Sequence, residues 1–178
     1  MTKAFSSLVI LGLGSNLGDK SGILRDAVRE LEVVLADLRR ASVYETKPLY
    51  VEDQEVFLNT AVSGFYDGEP WQLLVRIHEI ERRFGRDRGA ERRWGERRLD
   101  IDILTFGDLH GVFPLDENKS ALTIPHQRLH ERRFALQPLL ELSPFALDPV
   151  SGVSYRSICD ALPDQGVKRI DEQSQSAF

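Results

Sequence analysis

Cys159 is the only cysteine in the chain. No internal disulfide can form and no cysteine-based metal cluster can be built, so stability must come from packing. Long apolar runs are also missing. The stretch from Leu8 to Leu13 is far short of the ~20 residues that span a bilayer. Only Lys3 precedes it and no small-residue cleavage pattern follows, so a secretory leader is not expected and a reducing, cytoplasmic setting is. A general excess of positive charge is absent as well: 28 acids against 23 bases leave a net charge of -5. Broad adhesion to nucleic acid or to an anionic membrane is therefore not expected. There is no internal repeat and no low-complexity linker. The 178 residues suit a single domain with a sizeable core. That domain is expected to span residues 1–178, with its core over about 8–142 and a C-terminal extension over 143–178.

What is present is unevenly placed. Arginine supplies 18 of the 23 bases, and nine of these lie between Arg76 and Arg98, where they face five acids. That segment carries +4 and the remainder -9. An acidic chain with one arginine-dense segment points to a local anion site.

Periodicity gives the element order. Leu8 to Leu11 reads as a buried strand, ended by the turn-rich stretch Gly12 to Asp19. Apolar positions from Leu24 to Leu38 fall on one helical face, predicting a helix over about Ser21 to Leu38. Arg39 to Tyr44 predicts a second strand, and Glu45 to Glu55 a loop. Phe57 to Tyr66 predicts a third strand rich in aromatic and β-branched residues. Pro70 suits the first turn of a second helix reaching about Phe84. Gly85 to Arg97 reads as a long functional loop. Leu99 to Phe106 predicts a fourth strand, Leu109 to Val112 a hairpin arm, and Gln127 to Leu136 a further helix. The order β-α-β-β-α-β is the ferredoxin-like pattern, an α+β class with a mainly antiparallel sheet, helices packed on it and extra C-terminal elements.

Asp100 and Asp102 stand two apart on the fourth strand, so both carboxylates share one face. Such a pair is either a solvated edge face or a place for magnesium, which takes one or two carboxylates together with phosphate oxygens and water. Arg86, Arg88, Arg92, Arg93, Arg97 and Arg98 come just before the pair, with Trp94 among them. Guanidinium groups bind phosphates bidentately and an indole offers a stacking surface. Carboxylates for a metal beside arginines for phosphate are the parts of a phosphoryl-transfer site. Gly12-x-Gly14 has the wrong spacing for a dinucleotide fingerprint and no Walker lysine, so it reads as a strand-ending turn.

The string Arg93-Trp94-Gly95-Glu96-Arg97-Arg98-Leu99-Asp100-Ile101-Asp102 resembles the signature of the 6-hydroxymethyl-7,8-dihydropterin pyrophosphokinases of folate synthesis. Three blocks agree in order and spacing: Gly14-Ser15-Asn16-Leu17-Gly18; Ser42-x-Tyr44-x-Thr46-x-Pro48 followed by Phe57-Leu58-Asn59; and Ile124-Pro125-His126-x-Arg128-Leu129-x-x-Arg132-x-Phe134. The resemblance implies a ferredoxin-like fold and transfer of the diphosphate of ATP to the hydroxymethyl group of the pterin, leaving AMP. It implies two magnesium ions on Asp100 and Asp102, and charge stabilisation by Arg86 and Arg93. On the nucleotide side it implies Arg88, Trp94, Arg97, Ile103, Thr123, His126 and Arg132. On the pterin side it implies Thr46, Pro48, Leu49, Phe57, Asn59, Trp94, Asp100 and Phe134. The chain departs from the family pattern at Glu96, Lys47, Gln127 and Ala121. One extra residue between Arg88 and Arg93 leaves open whether Arg92 or Arg93 takes the phosphate role. A single-stranded RNA module, which ferredoxin-like sheets also support, would need central aromatic residues and wide positive charge. The strongest predicted strand carries acids instead.

Overall fold

The computed structural model describes residues 6–47, 55–86, 97–114 and 121–170. In chain order these form β1 (Ser7–Ser15), α1 (Lys20–Glu32), β2 (Ala36–Arg40), β3 (Tyr44–Thr46), β4 (Phe57–Tyr66), α2 (Pro70–Arg83), β5 (Asp100–Phe106), β6 (Gly111–Pro114), β7 (Ala121–Ile124), a 3-10 turn at Leu129–Glu131, α3 (Arg133–Leu142), α4 (Tyr155–Ala161) and β8 (Lys168–Arg169). The main sheet runs β5-β1-β4-β3-β8, with β2 also on β4, and every pairing in it is antiparallel. This is the ferredoxin-like α+β arrangement, with β6 and β7 as a separate hairpin.

Several boundaries differ from those that periodicity predicts; the first strand runs on to Ser15 and the hairpin arm is Gly111–Pro114. The first helix ends at Glu32, not Leu38, because residues from Ala36 onward pair with β4 instead. Leu35 still packs into the core from the connecting turn, which is why the apolar stripe continues past the helix. The single strand expected over Arg39 to Tyr44 is two short strands, β2 and β3, laid along one edge of β4. The helix expected from Gln127 is a 3-10 turn followed by α3, which extends to Leu142.

The sheet is packed on both faces. Apolar side chains of α1 and α2 meet Val9, Leu11, Leu13, Val62, Ile101, Ile103 and Phe106 on one face. On the other, Ile10, Ala61 and Leu104 meet Leu129, Leu136 and Leu139, with Tyr155 and Cys159 of α4 in the same cluster. The register of β5 against β1 shifts between Ile10 and Leu11, leaving Leu104 as a bulge, so Phe106 returns to the face of Ile101 and Ile103. Ile101 and Ile103 face α1 and α2, while Leu104 continues the opposite face that carries Asp100 and Asp102.

Glu141 near the end of α3 joins this second layer to the broken edge of the sheet. Its carboxylate accepts the Tyr44 hydroxyl and the Ser42 backbone N–H, the latter at 2.8 Å. Burial alone would raise its carboxyl, but these bonds outweigh it and hold it below the ordinary glutamate range. A depressed folded value means the stabilisation is complete above the unfolded value and is lost as pH falls through the folded one. Glu141→Gln removes one acceptor oxygen and is expected to cost about 1–2 kcal/mol at neutral pH. Urea melts of the two proteins between neutral pH and about pH 3 should converge at the acid end.

Candidate active site

β1 carries glycine at the two positions of its second half that face away from α1 and α2. Gly12 lies opposite Asp102 on one side and Ala61 on the other, and Gly14 lies between Asp100 and Asn59. The sequence pattern predicts a turn at both glycines, whereas they are extended residues of the central strand. Close approach explains them. A Cβ on Gly12 would come 3.2 Å from Leu104, and one on Gly14 would come 3.1 Å from Asn59 Oδ1. They form a bare floor between the acids of β5 and the polar residues of β4, and the chain does not turn until Gly18.

Asp100 and Asp102 stand together on that face, as their spacing predicts. Asp100 Oδ1 accepts from Arg86 and its Oδ2 from Arg97, each at 2.5 Å. Asp102 Oδ2 has Arg132 Nη1 at 3.3 Å, with His126 Nε2 at 3.7 Å, beyond hydrogen-bond length. Both carboxylates remain partly exposed, Asp102 more than Asp100. Burial pushes Asp100 up, yet the two guanidiniums beside it prevail and hold it below the ordinary range. Asp102 is raised, first by burial and then by the charge of Asp100, against weaker pull from His126 and Arg132. One carboxylate is thus neutralised by arginine and the other is short of positive charge.

His126 is fixed in orientation. Its backbone N–H donates to Leu104 O at the bulge of β5, 2.9 Å, and its Nδ1 accepts from the Arg128 backbone N–H, 3.1 Å. Burial lowers its pKa despite Asp102, so the ring is neutral at about pH 7 and carries its proton on Nε2, the atom that faces the acids. Arg132 has a further donor in hand: Nε is buried with no hydrogen-bond partner among the described residues.

On the far side of the floor, Asn59 Nδ2 donates to Thr46 Oγ1 at 2.9 Å, leaving Asn59 Oδ1 over Gly14. Phe57 starts β4 on the same face, paired with Thr46. Phe134 comes from the first turn of α3, its ring centre 5.6 Å from the Arg132 guanidinium carbon. Thr123 is in β7 and borders a cavity of about 600 Å³ together with His126. Ile103 is buried on the opposite face from the acids, in the core under α1 and α2. Pro48, Leu49, Arg88, Arg92, Arg93 and Trp94 lie outside the described residues.

Two supporting residues carry no sequence expectation. Glu81 of α2 is 1% exposed; it accepts from the Arg86 guanidinium and, at 2.9 Å, from the Ile101 backbone N–H. It therefore fixes Arg86 against Asp100 and pins the start of β5. A signal exists: Glu81 follows Ile77 by one helical turn on the buried stripe of α2. Asn16, fully buried, accepts from the Arg97 backbone N–H at 2.7 Å and donates its own N–H to Arg97 O at 3.1 Å. Nothing in its spacing announces that partner, 81 residues away.

Comparison with known proteins gives a consistent neighbourhood. A family model described as 7,8-dihydro-6-hydroxymethylpterin-pyrophosphokinase matches residues 10–144. The 2-amino-4-hydroxy-6-hydroxymethyldihydropteridine pyrophosphokinase of Methylorubrum extorquens is 37% identical over 96% of this chain and 100% of its own length. The folic acid synthesis protein fol1 of Pneumocystis carinii is 33% identical over 91% of this chain, which spans only 21% of that protein. The wild-type HPPK-DHPS structure of Plasmodium falciparum superposes with a TM-score of 0.71 at 17% identity, covering 90% of this chain and 45% of the other; this supports the fold alone.

Breaking the Glu81 contact takes a fully buried partner from a buried guanidinium. Glu81→Ala is expected to cost about 3 kcal/mol, the low end for a broken buried ion pair because Asp100 still holds Arg86. Urea unfolding measures it. A loss under about 1 kcal/mol, the size of an ordinary exposed pair, would show that Glu81 braces neither Arg86 nor β5.

Proposed function

Because the chain belongs to the 7,8-dihydro-6-hydroxymethylpterin-pyrophosphokinase family, we propose that it transfers the β,γ-diphosphate of ATP to the hydroxymethyl group of 6-hydroxymethyl-7,8-dihydropterin in folate synthesis. The acceptor oxygen bonds to the β-phosphorus, the bond from that phosphorus to the α-phosphate oxygen breaks, and AMP leaves while the hydroxyl loses its proton. The observation that carries this reading is the paired acids facing a glycine floor, with cationic donors on their side of it and amide, hydroxyl and aromatic groups on the other.

The donor set suits a divalent cation. Two oxygen ligands share a face, and Asp102 is raised by burial and by the neighbouring charge of Asp100. That is the situation magnesium relieves, with phosphate oxygens and water completing its shell. Asp100 and Asp102 would hold two magnesium ions, whose chemistry is to neutralise phosphate charge and acidify the acceptor hydroxyl.

The chain's own residues do the rest. Arg86 and Arg93 would stabilise the group in transit, with Arg86 held in place by Glu81. Arg88, Arg97 and Arg132 would bind phosphate oxygens, Arg132 through its unspent Nε. His126 would donate from Nε2, its tautomer set by Arg128. Trp94 and Thr123 would contact the nucleotide; Ile103, its side chain in the core, would do so through main chain. The pterin would lie over Gly14 between Phe57 and Phe134. Asn59 Oδ1 and Thr46 would meet its polar edge, with Pro48, Leu49, Trp94 and Asp100 around it. No helix among the described residues is long and apolar enough to cross a membrane. We place the reaction in the cytoplasm.

Asp102→Ala should retain a cooperative thermal melt yet lose transfer by at least about 100-fold. Chelation of divalent metal should abolish wild-type turnover, and added magnesium should restore it. Calorimetric titration of 6-hydroxymethylpterin in the presence of a non-hydrolysable ATP analogue tests the acceptor: no heat of binding would overturn the pterin assignment.

A further inference from the structure

Lys20 opens α1, where a cation meets the positive end of the helix dipole at a cost of about a few tenths of a kcal/mol. No acid in the first turn of that helix offsets it. The offset comes from the other side of the site. Lys20 Nζ donates to the Val56 carbonyl at 3.2 Å and to Glu55 Oε2 at 2.9 Å. The lysine side chain is 18% exposed while that of Glu55 is 66% exposed. The Glu55 pair is therefore a solvated one of small value, and the bond to the Val56 carbonyl is the sheltered one.

Val56 immediately precedes Phe57, the first residue of β4. Residues 47–56 connect β3 to β4. The Thr46–Phe57 pairing closes both ends of that connection, and the Asn59–Thr46 bond holds the near end again. Just outside that pairing, Lys20 takes hold of Val56 and Glu55. We propose that Lys20 is a positioning residue for the pterin side of the site, fastening the end of the 47–56 connection so that Phe57 presents its ring over the floor. This rests on the assignment of Phe57 to the pterin slot. It concerns one substrate only, since Arg86, Arg97, Arg132 and His126 are held by Glu81, Asn16, Asp102 and Arg128 without Lys20.

The variants are Lys20→Met, which keeps the apolar stem without a donor, Lys20→Arg, which restores a donor, and Glu55→Ala. Each is titrated with 6-hydroxymethylpterin at saturating ATP analogue and magnesium, and separately with the ATP analogue alone. Loss of a charge-assisted bond to the carbonyl should weaken pterin binding about tenfold in Lys20→Met. ATP-analogue affinity should stay within about twofold, a difference near the scatter of independent sites. In turnover, the KM for pterin should rise with little change in kcat. Lys20→Arg should recover most of the affinity, and Glu55→Ala should behave as wild type. Pterin affinity unchanged in Lys20→Met overturns the proposal. So does a parallel loss of both affinities with a melting point lower by more than about 5 °C, which marks a fold residue. Wild-type protein that binds no pterin instead defeats the underlying assignment of the slot.

Discussion

A carboxylate with about one hundredth of its surface exposed cannot stay charged unless it is paired and hydrogen-bonded. Glu81 meets that condition through two partners with separate purposes: the Arg86 guanidinium and the Ile101 backbone N–H. The first aims a cation at Asp100. The second fixes where β5 begins, and so which of its residues face the floor. Charge and register are set by one side chain on α2. Arg97 reaches the same Asp100 from the other side, its backbone held by Asn16. Asp100 is thereby surrounded by positioned cations, while Asp102, two residues on, has weaker cationic company and is reluctant to ionise. That asymmetry suits a polyphosphate arriving with a divalent cation, since the cation supplies the charge that Asp102 lacks.

Much of this is legible in the sequence. Phe57 to Tyr66 has the bounds expected of it because half of its ten residues are aromatic or β-branched and the Asp67-Gly68 turn ends it. Asp100 and Asp102 share a face because strand periodicity puts them there. What is not legible depends on long-range pairing. Leu35 and Leu38 fit a helical stripe, and only the β4 edge decides that this stretch is extended. Gly12 and Gly14 look like turn residues until the neighbouring strands show that bulk, not flexibility, is what glycine avoids there. Asn16 is a polar residue near a turn until Arg97 arrives from across the chain. The family signature locates the chemistry, while the supports behind it, Glu81 and Asn16, have no local mark beyond a carboxylate on an apolar stripe.

The second face of the sheet is where fold and site share material. α3 starts beside the acids, with Phe134 in its first turn, and ends near Glu141, which grips the interruption between β2 and β3. α4 and the short β8 belong to the same side and edge: Tyr155 and Cys159 are in the second core, and β8 pairs with β3. Residues well beyond the stretch matched by the family model thus brace the strand that carries Thr46. The first core, under α1 and α2, is mainly aliphatic packing, and Glu81 ties it to the site.

The glycine floor has one more consequence, for the thermodynamics of the protein without substrate. A central strand normally carries side chains that fill the space above it, and each glycine there gives up about 0.5–1 kcal/mol of folding free energy relative to alanine. At Gly12 and Gly14 that cost does not apply, because Leu104 and Asn59 Oδ1 already reach to 3.2 and 3.1 Å of where a Cβ would stand. A flat ring laid over Gly14 would meet Asn59 and the acids across a surface with no side chain of its own in the way. Substrate recognition and conformational stability are then linked quantities: the same contacts that select the ligand also raise the free energy of unfolding, by an amount that grows with the logarithm of ligand concentration over its dissociation constant.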